Sequence, residues 1–181
     1  MSRIAKHTKS GMADRLSLVF KTYGYEGASL SMLAASAGLS KASLYHHYAG
    51  GKAEMAAHVL AYSGARLQKL VIAPLATKAS GEERIVRSLE GTERYYDGDV
   101  PICLMNSLLL GEGRALFARR IEDAVAAWSS GLAHAARDMG VTDPDTWSNI
   151  AIERIQGALV LCRVKKSRLP LERCLQNLRA V

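Results

Sequence analysis

The residue types best suited to chemistry lie together in one segment, Lys41–Tyr48, and a further lysine follows at Lys52. The segment holds one lysine, two tyrosines and two histidines, whose N–H and O–H groups can donate to phosphate oxygens and base edges. Its small residues Ala42 and Ser43 would let a helix approach the bases closely. This combination indicates contact with nucleic acid.

Two adjacent histidines could also suggest a metal site. Successive residues point about 100° apart on a helix, so His46 and His47 cannot both ligate one ion. The three cysteines, Cys103, Cys162 and Cys174, form no CxxC pair and lie in apolar helical patterns, which predicts buried, reduced thiols. We therefore expect no metal and no cofactor, while a redox-sensing role for Cys103 stays open.

Motifs typical of common enzymes are missing from the sequence. It contains no GxSxG elbow, no phosphate-binding loop and no HExxH pair. The residues Gly111-Glu112-Gly113 begin like a dinucleotide fingerprint, but no third glycine and no strand accompany them, which predicts a helix break. We expect a protein that is not an enzyme, and a small intracellular helical enzyme is the alternative.

Charge favours an acidic partner. The 181-residue chain has a formal net charge of +7. Its first 60 residues hold seven Lys and Arg, including Arg3 and Lys6, against three Asp and Glu, a net +4. The uncharged stretch Val100–Gly111 is shorter than the ~20 apolar residues of a membrane helix. The start of the chain lacks an apolar run, so we expect a cytoplasmic protein without a membrane partner.

Helical spacing of apolar residues predicts the elements that position the basic segment. A first helix places Ala13, Leu16, Val19, Phe20 and Tyr23 on one stripe and ends at Gly24. A second begins near Leu30, is capped by Ser29 and ends at Gly38.

After a short turn, Ser40 caps a third helix, about Lys41–Tyr48, whose Leu44 and Tyr48 face inward. The remaining periodicity predicts helices at about Lys52–Val71, Gly81–Asp97, Pro101–Gly111, Arg114–Met139, Pro144–Lys165 and Leu171–Ala180. The chain is thus expected to be all-α.

Two helices joined by a glycine-led turn form a helix-turn-helix, whose second helix enters the major groove of DNA. Residues 10–56 resemble the DNA-binding region of the TetR family of bacterial transcriptional regulators. The likeness rests on Phe20, Gly24-Tyr25, Ser29, Leu33-Ala34, Ala37–Tyr48, Lys52 and Met55.

The resemblance implies an N-terminal three-helix helix-turn-helix DNA-binding domain (1–51), a connecting helix (52–74) and a C-terminal helical domain for ligand binding and dimerisation (75–181). It implies that Lys41, Ala42 and Ser43 read bases, while Tyr45, His47 and Lys52 contact the backbone. For His46 a plain surface role is equally open. The whole predicted DNA-binding set is Ser29, Ser40, Lys41, Ala42, Ser43, Tyr45, His46, His47 and Lys52.

One recognition helix specifies too few base pairs, so we expect a homodimer on a palindromic operator. The last two helices are the expected dimer surface, with packing inside one chain as the alternative. Their apolar stripes contain Trp147, Ile150, Ala151, Ile155, Ala158, Leu159, Cys162, Leu171, Leu175 and Leu178.

The middle helices hold large apolar side chains that suit either a pocket for an apolar or aromatic molecule or an ordinary core. These candidates are Tyr95, Tyr96, Met105, Asn106, Leu109, Phe117 and Trp128. We expect a dimeric repressor released from its operator by such a ligand. A TetR-like activator without a small-molecule inducer is an alternative, and the ligand, operator and regulated genes stay unspecified.

Overall fold

The computed structural model describes residues 9–179, and every regular element within them is helical. The α-helices are α1 (Lys9–Gly27), α2 (Leu30–Ala37), α3 (Lys41–His47), α4 (Gly51–Leu67), α5 (Gly81–Tyr95), α6 (Leu104–Leu108), α7 (Gly111–Asp138), α8 (Pro144–Lys165) and α9 (Leu169–Arg179). The predicted all-α class is confirmed. The predicted end of the last helix at Ala180 lies outside the described residues.

The helix that was expected to run to Val71 changes its geometry earlier. After α4 the backbone widens into a π-helical turn, Gln68–Ile72, and then tightens into a 3₁₀ turn, Ala73–Ala76, which accommodates Pro74 near its start. The buried Ser88 hydroxyl of α5 donates to the Val71 carbonyl at 2.8 Å. A side chain on Gly91 would collide with the backbone of the widened turn. Close packing against α5 therefore accompanies the change of pitch.

The backbone contacts divide the chain into two compact units. Of the described residues, unit 1 contains those up to Gly64 together with Leu104–Ile121, and unit 2 contains Ala65–Cys103 together with those from Glu122 to Arg179. The predicted domain limits at 51/52 and 74/75 do not follow this division, because α6 and the start of α7 pack with the N-terminal helices. The functional division remains a prediction.

Unit 1 has its core between α1, α2 and α3, with Leu16, Phe20 and Leu33 fully buried. The predicted stripe of α1 is correct except at Tyr23, whose side chain is 54% exposed. Gly24 has a φ of +71° and interrupts the helical phase, so Tyr25 turns inward in its place. The expected helix end at Gly24 is thus a kink, and α1 continues to Gly27.

Unit 2 is built from α5, α8, α9 and most of α7 around a core that includes Leu89, Trp128, Leu132 and Ile155. None of the helices in residues 9–179 is long and apolar enough to cross a membrane.

Candidate nucleic-acid interface

The ends of α2 are fixed by local hydrogen bonds that the sequence encodes. Ser29 has extended backbone angles, and its Oγ accepts from the Met32 backbone N–H at 3.2 Å. Gly38 has a φ of +68°, and its N–H donates to the Ala35 carbonyl at 3.0 Å. These contacts confirm Ser29 as the N-cap and Gly38 as the residue that ends α2.

The helix α3 starts at an equally well-defined cap. The Ser40 Oγ accepts from the Ser43 backbone N–H at 3.1 Å and lies 3.0 Å from the Ser43 Oγ. Leu44 and Tyr48 are the side chains that anchor this region, with exposures of 1% and 4%. Because α3 spans only Lys41–His47, these two anchors leave most of its surface free for a partner.

Tyr48 is a core residue, as its position predicted. Its hydroxyl lies 2.7 Å from Nδ1 of His58 in α4. Burial, followed by the nearby charge of Glu54, raises the pKa of Tyr48, so the phenol remains neutral around pH 7. Tyr48 therefore holds α3 onto α4 rather than reaching a ligand.

The outward face of α3 carries the predicted contact residues. Their side chains are all exposed: Lys41, Ala42, Ser43, Tyr45, His46 and His47. The rings of His46 and His47 meet edge to face with centroids 6.0 Å apart. Among residues 9–179 no group of His, Cys, Asp and Glu is arranged to hold a metal ion.

Lys52 lies at the start of α4, close to the end of α1. Its Nζ lies 4.5 Å from the centroid of the Tyr25 ring and 3.5 Å from the Glu26 backbone oxygen. Gly51 has a φ of +66° and faces the Tyr45 ring. The Gly50 N–H donates to the Glu54 carboxylate at 2.7 Å. The glycine pair therefore has a defined conformation between α3 and α4.

The basic residues Arg3 and Lys6, counted in the N-terminal charge, lie outside the described residues. Arg15 and Lys21 of α1 are half-buried, whereas Lys41 is exposed. Within the described part of the interface, the exposed positive charge of α3 is accordingly that of Lys41.

The expected ligand-pocket residues are divided between the two units, and their role in a pocket remains a prediction. Tyr95, Tyr96 and Trp128 belong to unit 2, and the other four belong to unit 1: Met105, Asn106, Leu109 and Phe117. The Tyr95 and Tyr96 rings contact each other at 4.7 Å. The Tyr96 hydroxyl donates to the Cys103 Sγ at 3.6 Å, and burial raises the pKa of Tyr96 well above its ordinary value.

An open groove of about 570 Å³ does exist in unit 2, on α7 and α8. It is lined by Glu122, Val125, Ala126, Ser129, Ser130, Ala133, His134, Arg137, Asp145 and Asn149, and by none of the seven expected pocket residues. The mixture of charged, hydroxyl and small apolar groups differs from the apolar or aromatic lining expected from the sequence.

The dimer surface expected on α8 and α9 needs correction. Eight of its ten residues are buried inside unit 2: Ala151, Ile155, Ala158, Leu159, Cys162, Leu171, Leu175 and Leu178. They pack α8 and α9 into the same chain, which was the alternative left open. Ile150, by contrast, is 39% exposed, and Trp147 is half-buried.

Two residues next to Lys52 were not assigned a role from the sequence. Tyr25 is one of the residues that resemble the TetR family, but its position in the sequence does not show that its ring faces Lys52. Glu26 is exposed and lies in no apolar pattern, so periodicity could not reveal that its carboxylate accepts from the Glu112 backbone N–H at 2.7 Å.

Comparison with known proteins agrees with this geometry. Residues 18–59 match the family model described as bacterial regulatory proteins, tetR family. The chain is also 22% identical over 161 residues to the uncharacterized HTH-type transcriptional regulator YxaF of Bacillus subtilis (strain 168), covering 86% of this chain and 84% of that protein. These matches support the TetR family for this chain, most directly over residues 18–59.

Solved structures share the fold of this chain along nearly its whole length. A TetR transcriptional regulator from Chloroflexus aurantiacus J-10-FL has 19% identity and a TM-score of 0.77, with coverage of 99% of this chain and 96% of that one. A cysteine mutant of the TetR-family regulator CifR, solved with a 26-bp double-strand operator DNA, has 22% identity, a TM-score of 0.75 and 96% coverage of both chains.

Proposed function

We propose that this TetR-family regulator is a cytoplasmic repressor that binds a palindromic operator as a homodimer. The observation that carries the proposal is the outward face of α3, where a cation, two small residues, a phenol and two imidazoles are all exposed. Small residues at the start of a recognition helix let it reach base edges, and the longer donors reach phosphates. The operator-bound relative CifR supports the same use of this fold.

The contacts of α3 divide into two expected roles. Lys41 and Ser43 lie at its N-terminal end, where helix-turn-helix proteins contact bases, so they are proposed to select sequence. Tyr45 and Lys52 are proposed to hold phosphates and therefore to act on every duplex alike. The capping bond between Ser40 and Ser43 limits the orientations open to the Ser43 hydroxyl.

A selection experiment tests DNA binding directly. Duplexes retained by the purified protein from a random pool should share a two-fold symmetric motif. Lys41→Ala should reduce the preference for that motif over a scrambled duplex, while Lys78→Ala, which removes an exposed lysine of unit 2, should leave the preference intact. Recovery of random sequences, or retention of no duplex, would contradict the proposal.

For the homodimer, we propose a contact surface made by the exposed apolar side chains of α8, in place of the stripes on α8 and α9 that the sequence predicted. They share one side of the helix: Ile150, Val160, Leu161 and Val164, with exposures of 39%, 53%, 47% and 72%. Gly157 lies on the same side with open space above it, so a second helix could approach closely. A two-fold axis through this stripe would bury it in both subunits.

Sedimentation tests that surface. Val164→Asp places a charge on the most exposed apolar residue of the proposed contact, so the variant should sediment as a monomer and bind the selected palindrome at least tenfold more weakly. Leu116→Asp makes the same chemical change at an exposed site of unit 1 and should remain a dimer. A Val164→Asp protein that stays dimeric would assign the contact elsewhere.

Relief by a small ligand is the last part of the proposal. A ligand releases DNA only if it binds the DNA-incompetent arrangement more tightly, and a coupling of about 1.4 kcal/mol already gives a tenfold change in affinity. A screen of apolar and aromatic compounds should find some that raise the melting temperature and release the selected duplex. Compounds that stabilise the protein without altering DNA affinity would favour a regulator without an inducer. A transcription assay that shows stimulation would favour the activator.

A further inference from the structure

We propose that Tyr25 and Glu26 are positioning residues for DNA binding, which hold the Lys52 ammonium in place and tie it to the beginning of α7. This inference rests on the proposed function, because it takes Lys52 as a phosphate ligand. All the residues involved belong to unit 1.

The kink at Gly24 is what brings the two residues to Lys52. With a φ of +71° and a ψ of −175°, Gly24 leaves the helical path, and Tyr25 becomes 7% exposed while Tyr23 stays outside. The Ser107 hydroxyl of α6 donates to the Lys21 carbonyl of α1 at 2.9 Å, just before the kink. The last turn of α1 is thus directed by α6.

Lys52 is held by two different interactions. The flat face of the Tyr25 ring attracts the ammonium at 4.5 Å, which is within the range of a cation–π contact. The Glu26 backbone oxygen accepts one N–H at 3.5 Å. Since an ammonium has three donors, the remaining ones are left for a phosphate oxygen. Lys52 is therefore oriented before DNA arrives, which reduces the entropy lost on binding.

The Glu26 side chain connects the same segment to α7. Its Oε1 accepts from the Glu112 N–H at 2.7 Å, so the carboxylate satisfies one of the free amides at the start of that helix. Gly111 has a φ of +52°, and a side chain there would collide with the carboxylate. Only glycine at position 111 lets Glu26 reach its partner in this arrangement.

The Tyr25 ring is fixed from the same direction. The Phe117 ring of α7 meets it edge to face at 5.7 Å, and the Phe20 ring stacks on it at 6.5 Å. Gly113 allows the Tyr25 Cβ to approach α7, since a side chain at 113 would press against it. Contacts with the start of α7 therefore fix the positions of both Tyr25 and Glu26.

Double-mutant cycles on DNA affinity test the inference, with the selected palindrome and a scrambled duplex measured at several salt concentrations. Lys52→Ala should weaken both duplexes alike and lower the salt slope by about one. Tyr25→Leu, which removes the ring, should weaken both about three- to tenfold without changing base preference. Tyr25→Phe keeps the ring and should stay within about twofold.

The decisive result is non-additivity. In the Lys52→Ala background, Tyr25→Leu and Glu26→Ala should each cause little further loss, because the lysine that they position is gone. Full additivity would overturn the inference. Since Tyr25 is buried, melting curves must show that Tyr25→Leu is folded at the assay temperature. If it is not, the exposed Glu26→Ala decides, and the inference fails if that variant binds DNA like the wild-type protein.

The outcomes separate this inference from the proposed function. If the wild-type protein binds no duplex, both fail. If the wild-type protein binds but Lys52→Ala leaves the salt slope unchanged, the phosphate role of Lys52 and the positioning role fail, while sequence-specific binding stands. If Lys52→Ala lowers the slope and the Tyr25 and Glu26 effects are additive, the positioning role alone fails.

Discussion

The helices α3 and α8 differ in how much of their surface is buried within their own unit. Of the seven residues in α3, Leu44 alone is buried, and a serine cap and the following Tyr48 complete its attachment. Of the 22 residues in α8, seven are buried, among them Ile155 and Leu159. The surface of α3 is therefore free to change with little effect on stability, whereas most changes on the inner face of α8 would disturb the core.

The largest expected effect is the difference in stability loss between a substitution in the core of unit 2 and one on the surface of α3. Trp128→Ala, in the core of unit 2, removes a fully buried ring and should lower the free energy of unfolding by about 3–5 kcal/mol. Tyr45→Ala removes an aromatic ring that is 42% exposed on α3. This substitution should change the free energy of unfolding by less than about 1 kcal/mol, while it weakens DNA binding. Urea unfolding of both variants measures the difference. Equal losses would mean that α3 depends on more packing than two anchors.

A smaller effect compares helix caps in the two units. Ser40 caps α3, and Ser80 caps α5 by accepting from the Glu83 N–H at 3.2 Å. Ser40→Ala and Ser80→Ala should each cost about 1 kcal/mol of stability, because each leaves one helix amide without its partner. Only Ser40→Ala should also reduce DNA affinity, measured by gel shift under conditions in which both variants are folded. If Ser80→Ala also lowered DNA affinity, the effect of Ser40→Ala on DNA binding could not be assigned to the position of α3.

Local signals explain why the α2–α3 region could be predicted from the sequence. Its caps, the left-handed Gly38 and the inward pair Leu44 and Tyr48 depend on residues within a few positions of one another. Tyr23 was the exception, because a single non-helical residue at Gly24 changed the phase of the stripe.

The long-range features could not be predicted in the same way. The helix α8 is apolar on two sides, and the spacing alone does not say whether Ile155 or Leu161 meets the same chain. A large apolar side chain such as Trp128 gives the same sequence pattern if it lines a cavity as it does if it fills a core. The contact of Glu26 with Glu112 joins residues that are far apart in the chain, and no periodic pattern encodes it.

The smallest expected effect concerns alkaline pH and the buried phenol of unit 2. Burial, then the neighbouring Cys103, raises the pKa of Tyr96 above its ordinary value of 10.0. The unfolded chain therefore loses this proton at a lower pH than the folded chain does. The contribution to stability is complete below about pH 10 and declines as pH rises further.

Between pH 9 and 10.5 this one group should lower the free energy of unfolding, because the unfolded chain loses its proton first. Tyr96→Phe removes the titrating group, so its stability should fall less over that range than that of the wild-type protein. Tyr45→Phe removes an exposed phenol on α3 and serves as the matched control, which should follow the wild-type pH profile. Urea unfolding at the two pH values gives the comparison. If both variants show the wild-type decline, the Tyr96 phenol ionises as readily in the folded chain as in the unfolded one, and its burial does not restrict titration.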